Sequence, residues 1–198
     1  MDLHRRQAHV RQVTTAMCVP ASMQIMINLM SGGAPDRTEE TQRELYALAR
    51  SYSPWITPDR RGAAANGWAA GLEYLGYGNF EPQGLPTLDE ALRTAARQMR
   101  FLNKPVGLIV WSGDHAWVMS GFRATADPAW TDNFDVTAVW IEDPWSGRTD
   151  RTWGKGLAPH TLVSRDDLGD DFLAWPSRWF ARLSGASSYR WVIVAPLA

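Results

Sequence analysis

The chain carries a single cysteine, Cys18, directly before an apolar stretch that opens with Val19-Pro20-Ala21. A thiol at the first turn of a helix meets unpaired backbone N–H groups and the positive end of the helix dipole. Both favour the thiolate, which is the nucleophilic form. The competing reading is a small buried hydrophobe, since free cysteine is among the most buried residue types. Gln12 lies six residues upstream. Its amide can donate to an oxyanion that develops beside such a cysteine, with the Cys18 N–H as a second donor. Read alone, Gln12 is a surface glutamine.

A nucleophilic thiolate needs a base. The histidines are His4, His9, His115 and His160. His4 and His9 sit in a polar start and His160 in a Pro-containing stretch, so these three are expected to be solvated. His115 differs: it follows Ser112-Gly113-Asp114 and opens the apolar run Ala116-Trp117-Val118-Met119 that leads to Gly121. A histidine on the first residue of a strand is held by a rigid sheet while facing a cleft. Asp143 ends the next apolar run, in Ile141-Glu142-Asp143-Pro144-Trp145, where Pro144 stops a ladder. An Asp-Pro pair by itself reads as a turn. With a hairpin loop centred near Ala129, residue 124 faces 134 and His115 faces Asp143. Directly opposed residues share a sheet face with Cβ atoms about 4.5–5.5 Å apart. The carboxylate would then accept Nδ1–H of His115 and leave Nε2 for the Cys18 proton. A slip of one residue would break the set. Asp114 and Glu142 are rival carboxylates expected on the opposite face.

These residues need elements to hold them. Residues 19–31 read as a Met-rich helix with Pro20 in its first turn, stopped by Gly32-Gly33. Residues 38–52 form an amphipathic helix capped by Thr38 and ended by Ser53-Pro54. Residues 66–75 are a third helix closed by Gly76 and Gly78. Thr87 with Glu90 makes a capping box for a fourth, running to Leu102. Strands follow at 106–111, 115–124, 134–142 and 189–196, with a short helix at 164–174. Helices first and an antiparallel sheet after is the order of an α+β fold, with one domain over 1–198 and its core at about 10–196.

Composition narrows the function classes. The 198 residues carry 45% hydrophobic and 21% charged side chains, with formal net charge -1. That is the profile of a globular domain with no bias toward nucleic acid or an anionic membrane surface. One cysteine excludes an internal disulfide and a thiolate-rich metal site. Residues 1–12 lack the apolar core of a signal peptide and no run is long enough to span a bilayer, so a cytoplasmic protein is expected. The eleven tryptophans are expected mainly in the core, with an aromatic-lined groove as the alternative.

Taken together, the chain resembles the peptidase C39-like group of papain-fold cysteine peptidases. The resemblance is carried by Gln12-x5-Cys18-x-Pro20-Ala21, by Gly113-x-His115 with the strand to Gly121-Phe122, and by Asp143-Pro144-Trp145, in that order. It spans about residues 10–196. It implies N-terminal helices carrying the cysteine, packed on a C-terminal antiparallel sheet. It also implies Cys18 as nucleophile, His115 as base, Asp143 as the orienting residue and Gln12 at the oxyanion hole. The implied reaction is hydrolysis of a peptide or related amide bond through a thioester, with a peptide or protein as substrate and neither metal nor organic cofactor. Two positions depart from the group: Val19 stands where glycine is common and Met17 where an acidic residue is common. An acyltransferase on the same scaffold and a catalytically silent peptide-binding module are the alternatives. Specificity is expected in the loops 53–65, 124–134 and 145–160.

Overall fold

The computed structural model describes residues 1–53, 61–176 and 189–198. Helix α1 spans Cys18–Met30 and is buried on nearly every side, as its largely apolar composition requires, with the polar Ser22, Gln24 and Asn28 buried among the rest. Helix α2 (Glu39–Ser51) starts at Thr38, whose hydroxyl accepts the Thr41 N–H. Helix α3 spans Ala65–Tyr74. Strand β1 (Phe80–Leu85) precedes helix α4 (Leu88–Leu102), where Thr87 Oγ1 accepts the Glu90 N–H at 3.1 Å and left-handed Asn103 closes the end. Strands β2 (Val106–Val110), β3 (His115–Ala124) and β4 (Val136–Glu142) follow. Then come β5 (Thr149–Asp150), β6 (Gly154–Lys155), β7 (Thr161–Ser164), α5 (Arg165–Asp171), β8 (Trp175–Pro176) and β9 (Tyr189–Pro196).

The main sheet runs β1-β9-β2-β3-β4-β7, with β8 pairing the start of β9, and each pairing is antiparallel. β5 and β6 form a separate small hairpin. The α+β class holds, with five strands beyond expectation among the described residues, β1, β5, β6, β7 and β8. β1 contains Pro82 and Gly84 and lies at the sheet edge, where a missing N–H is tolerated. β7 is only four residues long and caps the other edge. α5 ends at Asp171 rather than 174, and β4 begins at Val136 rather than 134. Of the loop expected over 53–65, residues 54–60 lie outside the described residues.

Alternating strand residues build two cores. On one face Ile109, Ala116, Val118, Val192 and Val194 pack with α1, α2 and α3. On the other Leu108, Val110, Trp117, Met119 and Ile193 pack with α4 and α5. Each fully buried aliphatic side chain contributes about 1.5–3 kcal/mol. Gly107 lets the first core close, because a Cβ there would stand 2.5 Å from the Trp68 ring. No helix among the described residues is long and apolar enough to cross a membrane.

Candidate active site

Cys18 is the first residue of α1. The helix start has no side-chain cap. The Met17 N–H is taken by the Thr14 carbonyl, the Ala21 N–H by Met17, and Pro20 has none. The first-turn donors that remain belong to Cys18 and Val19. One turn on, Ser22 Oγ donates to the carbonyl of Ala116 at 3.1 Å. Residues i and i+4 share a helix face. That bond therefore fixes the Cys18 face of α1 beside the residue that follows His115. Further along, the buried amides of Gln24, Asn28 and Gln42 bond the backbone of Ala8, Arg11, Val13, Asp36 and Thr38. They hold the stretch leading to Cys18 against α1 and α2.

His115 opens β3 after a turn in which Trp111, Ser112 and Gly113 all have positive φ, at 53°, 54° and 98°. A left-handed backbone at two non-glycine residues costs on the order of 1–3 kcal/mol each. The Trp111 ring compensates in part: its Nε1 donates to Asp171 at 2.8 Å and its face stacks on the imidazole with centroids 4.3 Å apart. His115 Nε2 lies 2.8 Å from Asp143 Oδ1. Both residues are buried, Asp143 fully. Asp143 Oδ1 also accepts the Trp145 N–H at 2.7 Å, and Oδ2 the Leu157 N–H at 2.8 Å. The pairing is made, but through the other nitrogen from the one expected: Nε2 faces the carboxylate, which leaves Nδ1 for Cys18. Burial pulls the His115 pKa down. The hydrogen bonds that the ring makes to Asp143 and Cys18 and the charges of both outweigh burial and push it up to about 9.

The reversal has a geometric origin. Val118 faces Glu142 and Met119 faces Ile141, so the ladder centres one residue later than expected and Asp143 falls two positions from a direct opposition to His115. β4 has ended by then. A diagonal neighbour lies about 7–8 Å away. The far edge of the ring, Nε2, spans that gap. The shift is an even one, so the two residues keep a common face. Two irregularities, at Met119/Gly121 and at Arg123/Ala124, offset each other and preserve this parity.

Gln12 is buried. Its N–H donates to the Pro144 carbonyl at 3.0 Å, which ties it to the segment after Asp143. Its side-chain Nε2 donates to Thr14 at 2.8 Å, leaving one amide hydrogen, while Oε1 is buried without a partner. Asp114 is exposed. Glu142 points away from Asp143 and is fully buried, as expected of the opposite face. The expectation of solvated histidines holds for His4, which is exposed, and is corrected for His9 and His160, which are half-buried; all three bring Nδ1 to within 3.1–3.5 Å of Glu142. Burial opposes the Glu142 charge, but the His9 hydrogen bond and charge, with His4 and His160, hold its carboxyl below the usual range.

The tryptophans divide between core and site. Trp68 and Trp117 are core, and Trp130 is exposed. Around His115, Trp117 and Trp145 present edges to the ring at 6.5 and 6.3 Å, and Trp153 stacks behind Trp111 at 6.0 Å. The spacing of these residues gave no sign of this enclosure; only their frequency did. Gly156 was also missed. A Cβ there would stand 2.5 Å from the Trp145 carbonyl and 3.0 Å from Asp143 Oδ2. Gly156→Ala is expected to cost about 1–3 kcal/mol in urea unfolding, as overpacking does. It should also slow Cys18 alkylation by displacing the carboxylate.

Two surface recesses, of about 280 and 1080 Å³, lie around Trp130 and around Phe122 and Trp140, away from the Cys18–His115–Asp143 set. In comparison with known proteins, the sequence matches no family model and no curated protein.

Proposed function

We propose that this protein is a papain-like cysteine hydrolase of the C39-like kind, cleaving a peptide or related amide bond through an acyl-enzyme on Cys18. The observation that carries the proposal is the buried His115–Asp143 pair at 2.8 Å, with Cys18 near enough to add its hydrogen bond and charge to the imidazole. His115 Nδ1 takes the thiol proton, and Sγ attacks the carbonyl carbon. The oxyanion forms near the N–H groups of Cys18 and Val19 and the spare amide hydrogen of Gln12. Collapse breaks the C–N bond, and the imidazolium gives its proton to the leaving amine. His115 then deprotonates a water that cleaves the thioester, and Cys18 recovers its proton. The aromatic rings around His115 keep bulk water from the ion pair. Val19 adds a β-branched side chain next to the nucleophile and narrows the acyl position.

The test is a pooled peptide digest followed by mass spectrometry, with an acid quench to trap the acyl group. Cleavage and an adduct on Cys18 are expected in the parent protein, and neither in Cys18→Ala. An adduct discharged only by an added amine would make the protein an acyltransferase. Peptides retained intact by both proteins would make it a binding module and end the hydrolase proposal.

A further inference from the structure

On the sheet face opposite Asp143, Glu142 gathers histidines from distant stretches. His4 Nδ1 lies 3.4 Å and His160 Nδ1 3.5 Å from Glu142 Oε1. Ligand atoms of His4, Glu142 and His160 all lie within 4.8 Å of one another. Those separations are long for N–H···O hydrogen bonds, which run about 2.7–3.2 Å. They match the edge of a tetrahedron around an ion with bonds of about 2.0–2.1 Å, which is about 3.3–3.4 Å. We propose that His4, Glu142 and His160 form a binding site for a divalent transition-metal ion of the zinc type, with a fourth position open to solvent.

Three independent features favour a metal over a simple hydrogen-bonded cluster. First, His160 Nδ1 is buried and has no hydrogen-bond partner. Second, His160 Nε2 lies 3.3 Å from Asp2 Oδ2. A carboxylate beside the remote nitrogen draws the ring proton to that side and favours the tautomer with a lone pair at Nδ1, as outer carboxylates do for metal-bound histidines. Third, the His160 backbone is held left-handed, at φ 55°, while its N–H donates to Glu142 Oε2 at 3.1 Å. Such strain persists where the surroundings enforce it. The ring is clamped between His4, with centroids 3.9 Å apart, and Trp140 at 5.8 Å. His9 Nδ1, 3.1 Å from Oε2, orients the carboxylate from the other side. Two imidazole nitrogens and one carboxylate oxygen make a borderline donor set that suits zinc and its neighbours better than calcium or magnesium. The ion would tie the N-terminal segment and the loop before β7 to the end of β4, one residue from Asp143.

The experiment uses the full chain, stripped with a chelator and titrated with Zn²⁺ by calorimetry and with Co²⁺ by visible absorption. One equivalent of Zn²⁺ is expected, with Co²⁺ giving four-coordinate d–d bands and no thiolate charge-transfer band. His4→Ala and His160→Ala should each weaken binding at least tenfold, while Cys18→Ala binds as the parent does. Because His4 is exposed, His4→Ala is the variant least prone to misfold, and circular dichroism of each variant checks this. Binding lost in Cys18→Ala but kept in His4→Ala would move the metal to the thiol site and overturn the proposal. So would the absence of stoichiometric binding. The hydrolase proposal is unaffected by either result, because its readout is the adduct on Cys18.

Discussion

Iodoacetamide at pH 6.5 is expected to alkylate Cys18 at least about tenfold faster in the parent protein than in His115→Ala, because the imidazolium sustains the thiolate. The sign follows from the His115 pKa near 9. Below that value the folded protein keeps the ring protonated, well past the usual 6.5, so the imidazolium stands beside the sulfur across the neutral range. As pH rises through about 9 the ring loses its proton, and with it the acid that must protonate a leaving amine. Turnover should therefore fall above pH 9 and show no loss near 6.5. His115→Ala removes a buried ring packed against Trp111, so His115→Gln serves as the companion variant: it can still donate to Asp143 but cannot exchange a proton. If both variants react as fast as the parent, no ion pair exists and the proposed mechanism fails.

The start of α1 was legible because Pro20 and the apolar run after it leave little choice about where a helix begins. The Thr87–Glu90 cap was legible for a similar local reason. Common facing of His115 and Asp143 could also be read, since parity survives any even shift in register. The ring nitrogen could not. It depends on whether the partner sits opposite or diagonal, and that turns on the centre of the hairpin loop and two register irregularities, of which only Gly121 leaves a trace in the residue types. β1 was hidden by Pro82 and Gly84, which suppress strand propensity everywhere except at an edge.

The histidine cluster was missed for a different reason. His4, His9 and His160 each have polar neighbours in sequence, and local polarity reads as solvation. What brings them together is tertiary: Leu3 N–H bonds the Ser120 carbonyl and Phe122 N–H bonds that of Met1, laying the first residues along β3. Glu142, fully buried at the end of β4, then supplies the charge on which they converge. The fact that Glu142 and Asp143 face opposite ways was readable from alternation alone. That Glu142 would collect histidines was not.

Asp143→Ala is expected to cost about 3–5 kcal/mol in urea unfolding, the range for breaking a buried ion pair by removing one partner. The carboxylate accepts from His115 Nε2, from the Trp145 N–H and from the Leu157 N–H, and it is fully enclosed. Alanine strands all three donors, and each buried unsatisfied group costs about 1–3 kcal/mol before any water enters. Asp143→Asn separates structure from chemistry. Its side-chain oxygen still serves donors on one side, so stability should fall by less than half as much. Its NH₂ group faces a donor on the other side, and the charge that helps hold the His115 pKa near 9 is gone. The ring should then titrate closer to 6.5, visible by NMR, and turnover should drop about 10²–10⁴-fold, as expected when the orienting carboxylate of a triad is neutralised. The informative quantity is the ratio of the two effects. Asparagine must lose far more rate than stability if Asp143 orients and charges the base. Were Asp143→Asn to keep parental turnover and the parental His115 titration, Asp143 would be a structural turn residue, and the base would be working without it.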